Sequence, residues 1–232
     1  SNVIISDDGV KGVVIRLGGE FAKISHEAEI VKAGAAALCG NVALYSRNAA
    51  LGGLEFFTGI PGAVGGAIAM NAGCYGSDTS QVLLTATAID FDGNLVELKN
   101  LDFGFYYRGN NIAKKFIFVE ASFKAMKSTS EIVAKKLQEL NSQREQAQPI
   151  RAKTGGSTFK NPQNKRAWEL IDAAGCRGMS EGGAQISEKH CNFMINKGNA
   201  SAQDLINLGM KVKKLVKEKS NIDLEWEIKF LK

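Results

Sequence analysis

Ser157 lies in a segment where residue type and spacing permit chemistry, Thr154-Gly-Gly-Ser-Thr-Phe-Lys-Asn-Pro162. A serine between a glycine pair and a Lys-Asn-Pro turn is well exposed. The GxSxG spacing of a nucleophile elbow is not matched. His26 and His190 are the only histidines, and nothing in the sequence supports a Ser-His-Asp hydrolase built on His190. Residue type alone favours a turn or helix cap for this serine.

An arginine and two glutamates are the next candidates for charge chemistry. Arg108 lies in Tyr106-Tyr-Arg-Gly-Asn110, where its planar fork can hold a carboxylate or phosphate, or can stack on tyrosine at the surface. Glu225 and Glu227 lie in Leu224-Glu-Trp-Glu-Ile228. Strand alternation places both on one face, opposite Leu224, Trp226 and Ile228. A pair of this kind is most often only solvated.

A glycine-dense segment runs from Gly52 to Gly76 and contains Gly59-Ile-Pro-Gly-Ala-Val-Gly-Gly-Ala67. Glycine this dense indicates tight turns or a close approach of the main chain to a neighbour. Peptide N–H groups of such a loop, or of a following helix, can hold a phosphate or pyrophosphate. The segment has neither GxGxxG nor Gly-Lys-Ser/Thr, so it is not a Rossmann or Walker A loop. Glycine content leaves a purely structural turn open.

The four cysteines, Cys39, Cys74, Cys176 and Cys191, are widely separated. No CxxC or Cys/His ligand spacing accompanies them, so we predict no metal site. Because disulfides are rare in the cytosol, we interpret them as reduced thiols of a cytoplasmic protein. No apolar run reaches the ~18 residues of a membrane helix, and no signal peptide is visible.

The net charge is +5, which suits a nucleic acid or a small anionic ligand equally well. Much of the excess lies in Lys211-Val-Lys-Lys-Leu-Val-Lys-Glu-Lys219. Val212, Leu215 and Val216 recur there at helical spacing, which favours a solvated helix face over a nucleic-acid patch. No aromatic-studded basic strand or helix-turn-helix pattern supports nucleic-acid binding.

The elements that must position these residues are short strands and four helices. The predicted strands are Ser1–Gly9 with its closing turn, Val13–Leu17, Glu29–Gly34, the hairpin of Leu83–Asp90 and Asn94–Leu98 around Asp92-Gly93, Phe116–Phe123, Phe193–Asn196 and Leu224–Leu231. The predicted helices are Ala35–Ala50, Ser130–Gln148, Ala167–Ala174 with Gly175 as its end, and about Asn199–Ser220.

The helix from Ser130 to Gln148 predicts the domain organisation. It has no glycine, Ser128 or Ser130 can cap it, and Pro149 ends it. We therefore predict a first domain over residues 1–127, a connecting helix over 128–149 and a second domain over 150–232 that closes with a strand at 224–231.

Six stretches, taken in order, carry a family resemblance over nearly the whole chain. They are Ser1–Gly9, Gly53–Gly76, Tyr107-Arg108, Gly156–Pro162, Gly183–Ser187 with Lys189–Phe193, and Leu224–Ile228. Together they resemble the UDP-N-acetylenolpyruvoylglucosamine reductase (MurB) family. The Tyr-Arg pair of that family is usually followed at short distance by serine, whereas Gly109-Asn-Asn111 follow here.

The resemblance implies an α+β flavoenzyme. Its FAD-binding domain would be of the vanillyl-alcohol-oxidase type, followed by an α+β substrate-binding domain. FAD would be bound non-covalently and reduced by NADPH. Hydride would pass from flavin N5 to the β carbon of the enolpyruvyl ether of UDP-N-acetylglucosamine, a serine would protonate the α carbon, and an arginine and a glutamate would support the enolate. The product would be UDP-N-acetylmuramate for peptidoglycan synthesis.

Carried over by motif, the resemblance assigns three groups of residues. The catalytic residues would be Ser157 as proton donor, Arg108 and Glu227. The substrate-binding residues would be Tyr107, Lys160 and Asn161, with the last two facing the diphosphate or uridine. The cofactor-binding residues would be Ser1, Asn2, Gly59, Ile60, Pro61, Gly62, Gly65, Gly66, Asn71 and Gly73.

Family members carry a further segment that ends in a glycine-rich turn running into Ser-Asn, so the FAD-binding domain is expected to be N-terminally incomplete. A UDP-sugar is the expected partner, with no nucleic acid or membrane, and the protein is expected to be a monomer. The alternative functions are a nucleotide-sugar-binding module that holds no FAD, and a nucleic-acid-binding protein that uses its basic helix.

Overall fold

The computed structural model describes residues 2–232, and the chain forms two compact units. Unit 1 combines residues 1–14 with residues 144–232, and unit 2 contains Ile15–Gln143. This grouping differs from the predicted division of the chain, because residues 1–14 belong with the C-terminal part. The limits of the functional domains remain a prediction.

The two units contain fifteen strands and six α-helices among the described residues. The strands are β1 Val3–Ile5, β2 Ile24–Glu27, β3 Ile30–Gly34, β4 Leu51–Gly52, β5 Gly73–Cys74, β6 Ser77–Asp78, β7 Leu83–Ile89, β8 Leu95–Lys99, β9 Ile117–Lys124, β10 Met126–Lys127, β11 Thr154–Ser157, β12 Ser180–Glu181, β13 Ala184–Ile186, β14 Phe193–Asn196 and β15 Lys229–Leu231. The helices are α1 Cys39–Asn48, α2 Val64–Ala69, α3 Thr79–Val82, α4 Ser130–Ala147, α5 Ala167–Ala173 and α6 Ala202–Ser220. Short 3-10 helices cover Gly19–Ala22, Glu55–Gly59 and Asn100–Phe103.

Unit 2 is built on an antiparallel sheet with the strand order β2-β3-β9-β7-β8. Small side chains on the inner face, among them Ala33, Ala86 and Ala121, are fully or almost fully buried. They leave room for the larger Phe57 and Phe123, whose rings meet edge to face in the core. The predicted hairpin is confirmed: Asp90 accepts hydrogen bonds from the main chain of Asp92 and Asn94, and Gly93 has φ +89°.

Unit 1 has an antiparallel sheet with the order β11-β14-β13-β12, and β1 pairs with β15 in parallel. Its core is formed by apolar residues of α5 and α6, including Ile171, Leu208 and Val216, which are fully buried. The predicted strand at Phe193–Asn196 and the predicted helix before Gly175 are confirmed. Gly175 adopts φ +73°, which ends α5 as expected.

Helix α6 carries the basic segment, and its packing agrees with the solvated-face interpretation. Val212 and Val216 are fully buried. Four of its lysines bond to neighbours in unit 1: Lys211 to Glu181, Lys213 to the carbonyl of Leu224, Lys214 to Glu218 and Lys217 to Asp223. The lysines are therefore largely matched by groups of the same unit.

Two predicted strands are wrong in whole or in part. Val13–Leu17 forms no regular element, and its Val13 and Val14 side chains are 90% and 80% exposed. β-Branched residues favour a strand only where a partner strand pairs with them, and the described chain supplies none there. Leu224–Leu231 is regular only at Lys229–Leu231, with an isolated bridge between Phe159 and Trp226. The predicted alternation holds, because Leu224 and Ile228 are buried whereas Glu225 is exposed.

The helix predicted at 130–148 is confirmed as α4, Ser130–Ala147, and Val133, Leu137 and Leu140 form its buried face. Neither predicted cap is the one observed, because the hydroxyl of Thr129 accepts the hydrogen bond from Ile132 N. Helix α1 is shorter than the predicted Ala35–Ala50. Among residues 2–232, no helix has the length and apolarity needed to cross a membrane.

Candidate active site

In unit 1, Ser157 lies at the end of β11, directly after a β-bulge. Thr154 pairs with Ile195 and Ser157 pairs with Phe193, so β11 contains one extra residue between the two pairs. Gly156 has φ +93° within this bulge, a conformation that favours glycine. A bulge redirects the side chains that follow it. The glycine pair before Ser157 therefore sets where its hydroxyl points.

Glu227 lies beside the Ser157 segment, on a neighbouring stretch of the same unit. Its N–H donates to the carbonyl of Thr158 over 2.9 Å. Its own carbonyl accepts from the Asn2 side-chain amide over 3.1 Å. The unit thus brings the stretch of the predicted proton donor and the stretch of the predicted glutamate side by side.

Asn2 joins both stretches. Its N–H donates to Gly155 O over 3.2 Å, and Lys229 N–H donates to Asn2 O over 3.0 Å. Its φ is +63°, in the left-handed region that asparagine tolerates better than most residues. Asn2 therefore has a structural role next to Ser157 and Glu227, and its predicted cofactor contact stays a prediction. Ser1 lies outside the described residues.

Lys160 and Asn161 follow Ser157 on a stretch held by main-chain pairing. Lys160 N–H donates to Glu225 O over 2.8 Å, and its ammonium lies 2.5 Å from the Glu225 carboxylate. The Lys160 side chain is 15% exposed and that of Glu225 is 72% exposed. Asn161 accepts from Ala167 N–H over 2.9 Å and so caps the start of α5. The lysine is a mostly buried cation whose counter-ion lies in solvent.

The thiols of unit 1 are not arranged for nucleophilic chemistry. Burial raises the pKa of Cys191 to about 11. Burial also lowers the pKa of His190, whose ring lies between Trp168 and Phe193. A neutral thiol next to a neutral imidazole lacks the thiolate that a cysteine nucleophile requires. All four cysteines are thiols, and burial likewise raises the pKa of Cys39 in unit 2 to about 12.

In unit 2, Arg108 lies at the tip of a two-residue turn. Tyr106 and Gly109 exchange both main-chain hydrogen bonds, over 3.0 and 3.1 Å, which leaves Tyr107 and Arg108 between them. The guanidinium carbon lies 5.1 Å from the centre of the Tyr107 ring, within cation–π range. Arg108 has φ +61°, a strained conformation for arginine of the kind that clusters at functional sites. A Cβ on Gly109 would lie 2.5 Å from the Tyr106 ring, so a side chain there would displace that ring.

Two buried asparagines fix this turn to the glycine-rich segment. Asn110 donates to the carbonyls of Ile68 and Ala69 and accepts from Ile112 and Ala113. Asn71 donates to Tyr106 O and accepts from Ser80 N. Both functional groups of Asn71 are therefore engaged within unit 2. Its role is at least partly to place the arginine turn, and the predicted cofactor contact remains a prediction.

The glycines predicted to bind cofactor divide into two kinds. A Cβ on Gly59 would lie 2.6 Å from Cys74 Sγ, one on Gly65 3.2 Å from Ala35, and one on Gly73 2.5 Å from Ser77 O. A side chain at Gly59 or Gly73 would overlap atoms of unit 2, and one at Gly65 would make a tight contact with Ala35. Gly62 has φ +132°, which glycine adopts most readily. Ile60 is half-buried against the core, and Pro61 is exposed.

Gly66 is different, because a Cβ there would have no neighbour within 4 Å. The residue is exposed in the first turn of α2, and its packing within the unit does not require glycine. A bare peptide surface of this kind allows a planar or phosphate-bearing ligand to approach the main chain. The segment therefore fits a flavin nucleotide, and the contact of Gly66 with the cofactor stays a prediction.

Three contributors to these sites have no assigned role in the sequence prediction. They are Thr158, whose hydroxyl accepts from Met194 N–H, and Asn110 and Asn192, whose side chains bond to the main chain of Ile68 and Phe159. Their types are common in turns, so sequence pattern does not separate a buried amide that supports the main chain from a solvated one. Asn192 lies inside Lys189–Phe193, one of the stretches that carry the family resemblance, and this was the sequence feature that could have indicated a role for it.

Two parts of the chain match the models of known protein families. Residues 1–99 match the model of an FAD binding domain. Residues 148–231 match the model of the UDP-N-acetylenolpyruvoylglucosamine reductase C-terminal domain. The fold and its candidate sites thus define an α+β protein of the flavin-binding oxidoreductase class.

The relatives are more specific. UDP-N-acetylenolpyruvoylglucosamine reductase of Wolbachia pipientis wMel is 49% identical over 233 residues, which are 100% of this chain and 79% of that protein. The reductase of Rickettsia prowazekii (strain Madrid E) is 48% identical over 99% of this chain and 78% of its own length. The crystal structure of the Thermus caldophilus enzyme (MurB) has a TM-score of 0.88 and 32% identity, covering 100% of this chain and 82% of that one. The chain belongs to the UDP-N-acetylenolpyruvoylglucosamine reductase family.

Proposed function

We propose that this chain reduces the enolpyruvyl ether of UDP-N-acetylglucosamine to UDP-N-acetylmuramate, with FAD as cofactor and NADPH as the hydride source, in peptidoglycan synthesis. The observation that carries the proposal is the pairing of the Ser157 and Glu227 stretches through Thr158 O and Glu227 N, at 2.9 Å. In the proposed mechanism the Ser157 hydroxyl, on a main chain set by the bulge, delivers a proton with help from Glu227 on the neighbouring stretch. The relatives' names supply the substrate.

FAD, when bound, supplies the hydride that adds to the β carbon of the enolpyruvyl group. Ser157 donates the proton that the α carbon needs, which reduces the carbon–carbon double bond. A hydroxyl is a weak acid, so it must lie within hydrogen-bond reach of the carbon that gains negative charge. The bulge at Gly155–Gly156 and the pairing with Phe193 hold the main chain at Ser157 in one conformation, which supports this role.

Arg108 is proposed to hold the carboxylate of the enolpyruvyl group. That carboxylate gains charge when hydride arrives, and a fixed guanidinium stabilises charge where it develops. The turn between Tyr106 and Gly109 fixes the arginine before substrate binds. Glu227 is proposed to organise the proton path to Ser157, or to polarise the substrate carboxyl group when protonated.

Binding is assigned to separate groups of residues. Gly62 and Gly66 would approach the flavin nucleotide, and Lys160 and Asn161 would contact the diphosphate or uridine. Because the Lys160 counter-ion is exposed, a phosphate can replace it at low cost in desolvation.

The test separates the two half-reactions on flavin-loaded protein. Ser157→Ala should leave reduction of the flavin by NADPH unchanged and should abolish its reoxidation by the enolpyruvyl substrate. Ser180→Ala, an exposed serine in the same unit, is the matched control and should change neither rate. Reoxidation of Ser157→Ala at the parental rate would contradict the proton-donor role. A colourless protein that takes up no added FAD but binds UDP would favour the alternative, a nucleotide-sugar-binding module.

A further inference from the structure

The side-chain amide of Asn192 makes hydrogen bonds to the main chain of the segment that follows Ser157, as a neighbouring strand would. It is 4% exposed. Its Oδ1 accepts from Phe159 N–H over 2.9 Å, and its Nδ2 donates to Phe159 O over 2.8 Å. Its main-chain carbonyl accepts from Thr158 N–H over 2.7 Å. One residue thus satisfies three of the four main-chain groups of Thr158 and Phe159, beyond the end of β11.

The bulge explains why a side chain is needed there. Regular pairing of β11 with β14 ends at Ser157 and Phe193, and Asn192 is the residue just before β14. Beyond that point the main chains no longer match, while buried N–H and C=O groups still need partners. A planar amide offers a donor and an acceptor together, as a peptide group does.

The opposite edge of the same segment is held by the stretch that contains Glu227. Thr158 O accepts from Glu227 N–H over 2.9 Å, and Lys160 N–H donates to Glu225 O over 2.8 Å. The Thr158 hydroxyl accepts from Met194 N–H over 3.2 Å. The segment between Ser157 and Lys160 is therefore bonded on both sides, and Asn192 supplies most of one side.

We propose that Asn192 is a positioning residue that holds Ser157 at the α carbon of the substrate by bonding the main chain of Phe159 through its side-chain amide. The proposal rests on the proposed function of Ser157. Removing the amide leaves two buried main-chain groups unsatisfied, and the segment must move to regain them. A displacement of about 1 Å at a reacting group can lower a rate on the order of 100-fold.

The hydrogen-bonding chemistry of the amide predicts a pH dependence for Asn192→Asp that a merely structural role would not produce. In Asn192→Asp, an ionised carboxylate would still accept from Phe159 N–H but would repel Phe159 O. A protonated carboxyl group can accept from one and donate to the other, as the amide does. The variant should therefore regain function as the pH falls through the pKa of the new acid, which burial raises above its ordinary ~3.9.

Other groups near this position titrate or carry charge, so the comparison must be made against the wild type at each pH. They are His190, whose Nδ1 accepts from Asn192 N–H, the adjacent Cys191, and the paired Asp172 and Arg177 that act on Cys191. Lys160 lies on the same segment as Phe159, and Glu225 and Glu227 lie on the opposite stretch. All of them are present in both proteins, so the wild type measures their own contribution to the pH dependence.

The experiment measures single-turnover reoxidation of reduced flavin by the enolpyruvyl substrate, so that only folded, flavin-loaded protein contributes. We expect Asn192→Asp to be slower than wild type by about 100-fold near pH 8 and to approach the wild-type rate near pH 5. Reduction by NADPH should be unchanged. Asn192→Ala should be slow at every pH and should lose hydrogen-exchange protection at the Phe159 amide. Asn196→Asp, at the end of β14, where the side-chain oxygen accepts from Gly198 and Ala200 N–H, should match wild type.

Equal reoxidation rates for Asn192→Asp, Asn192→Ala and wild type across this pH range would overturn the positioning role. So would a Phe159 amide that stays protected in Asn192→Ala. If Asn192→Ala yields no flavin-loaded protein, Asn192→Ser takes its place, and a wild-type rate in that variant would equally overturn it. Full activity of Ser157→Ala would instead remove the proposed function, whatever the Asn192 variants do.

Discussion

At the residue scale, the glycines of the candidate site differ in what a side chain at their position would meet. Gly59 faces Cys74 and Tyr75 of its own unit, so a side chain would collide with the protein. Gly66 faces open space, so a side chain would collide only with something that binds there. Stability and ligand binding should therefore respond differently to the same substitution at the two positions.

Gly66→Ala should maintain or slightly increase the free energy of unfolding, because alanine is favoured over glycine in a helix by about 1 kcal/mol. It should nevertheless weaken FAD binding. Gly59→Ala should lower stability by about 1–3 kcal/mol, the usual cost of overpacking. Chemical denaturation and flavin titration measure the two effects. Unchanged FAD affinity in Gly66→Ala would exclude that position from the cofactor site.

Lys160 presents a second residue-scale prediction. Its ammonium is mostly shielded while its partner Glu225 is largely in solvent. Lys160→Met should raise KM for the UDP-sugar by about tenfold or more, since a hydrogen bond to a charged group contributes roughly 1.5–3 kcal/mol. The nearby exposed Lys165 serves as control, and Lys165→Met should leave KM within about twofold of wild type. Equal KM values for the two variants would refute the assignment of Lys160 to the substrate.

At the scale of elements, α6 shows how remote residues complete a helix terminus. Ser201 and Asp204 form a reciprocal capping box at its start. Asp7, from the other end of the chain, accepts from the next two N–H groups, those of Ala202 and Gln203. The carboxylates at this terminus also interact favourably with the helix dipole.

The capping box makes stability depend on pH. Hydrogen bonds from Gly183 and Ser201 N–H lower the pKa of Asp204 below its ordinary value of 3.8. A group with a lowered folded-state pKa stabilises the fold above its unfolded pKa, and this contribution is lost as the pH falls through the folded value. Asp204→Asn should therefore be less stable than wild type near neutral pH, and the difference should shrink below about pH 4. Unfolding by urea at a series of pH values measures it, and a constant difference would contradict this origin.

Elements with their own periodicity could be predicted from the sequence, and those that depend on distant partners could not. Helix α4 carries its apolar face and its terminating proline within one segment, so both type and limits were predictable. Val13–Leu17 has the composition of a strand but no partner strand in the described chain. The Asp7 cap and the Asn192 bonds join residues more than thirty positions apart. Sequence motifs predicted the candidate site residues. The bulge before Ser157 could not be predicted, because it depends on how β11 pairs with β14.

At the scale of the whole molecule, the chain divides into two units, and unit 1 is discontinuous in sequence. The parallel register of β1 and β15 pairs Val3 with Lys229 and Ile5 with Leu231. Ile4 points inward and is 7% exposed in the core of unit 1. Residues at one end of the chain thus contribute to the stability of the C-terminal part.

Ile4→Ala should destabilise unit 1 by about 2–5 kcal/mol, whereas Ile5→Ala, which is exposed, should change stability by less than about 0.5 kcal/mol. Both tryptophans, Trp168 and Trp226, belong to unit 1, so tryptophan fluorescence reports on that unit alone. Equal denaturation midpoints for the two variants would show that β1 is not part of the core of unit 1.

The pairing of β1 with β15 also orders events during synthesis. Val3 leaves the ribosome long before its partner Lys229 has been translated, and at about 5–20 residues per second the wait is roughly 10–45 s. Unit 2, Ile15–Gln143, is contiguous and can fold during this interval. The stretch from Asn2 to Asp7 must meanwhile remain unpaired, with the exposed edge of a nascent strand. The segment that supports Ser157 and Glu227 is consequently completed only after Lys229–Leu231 have been translated.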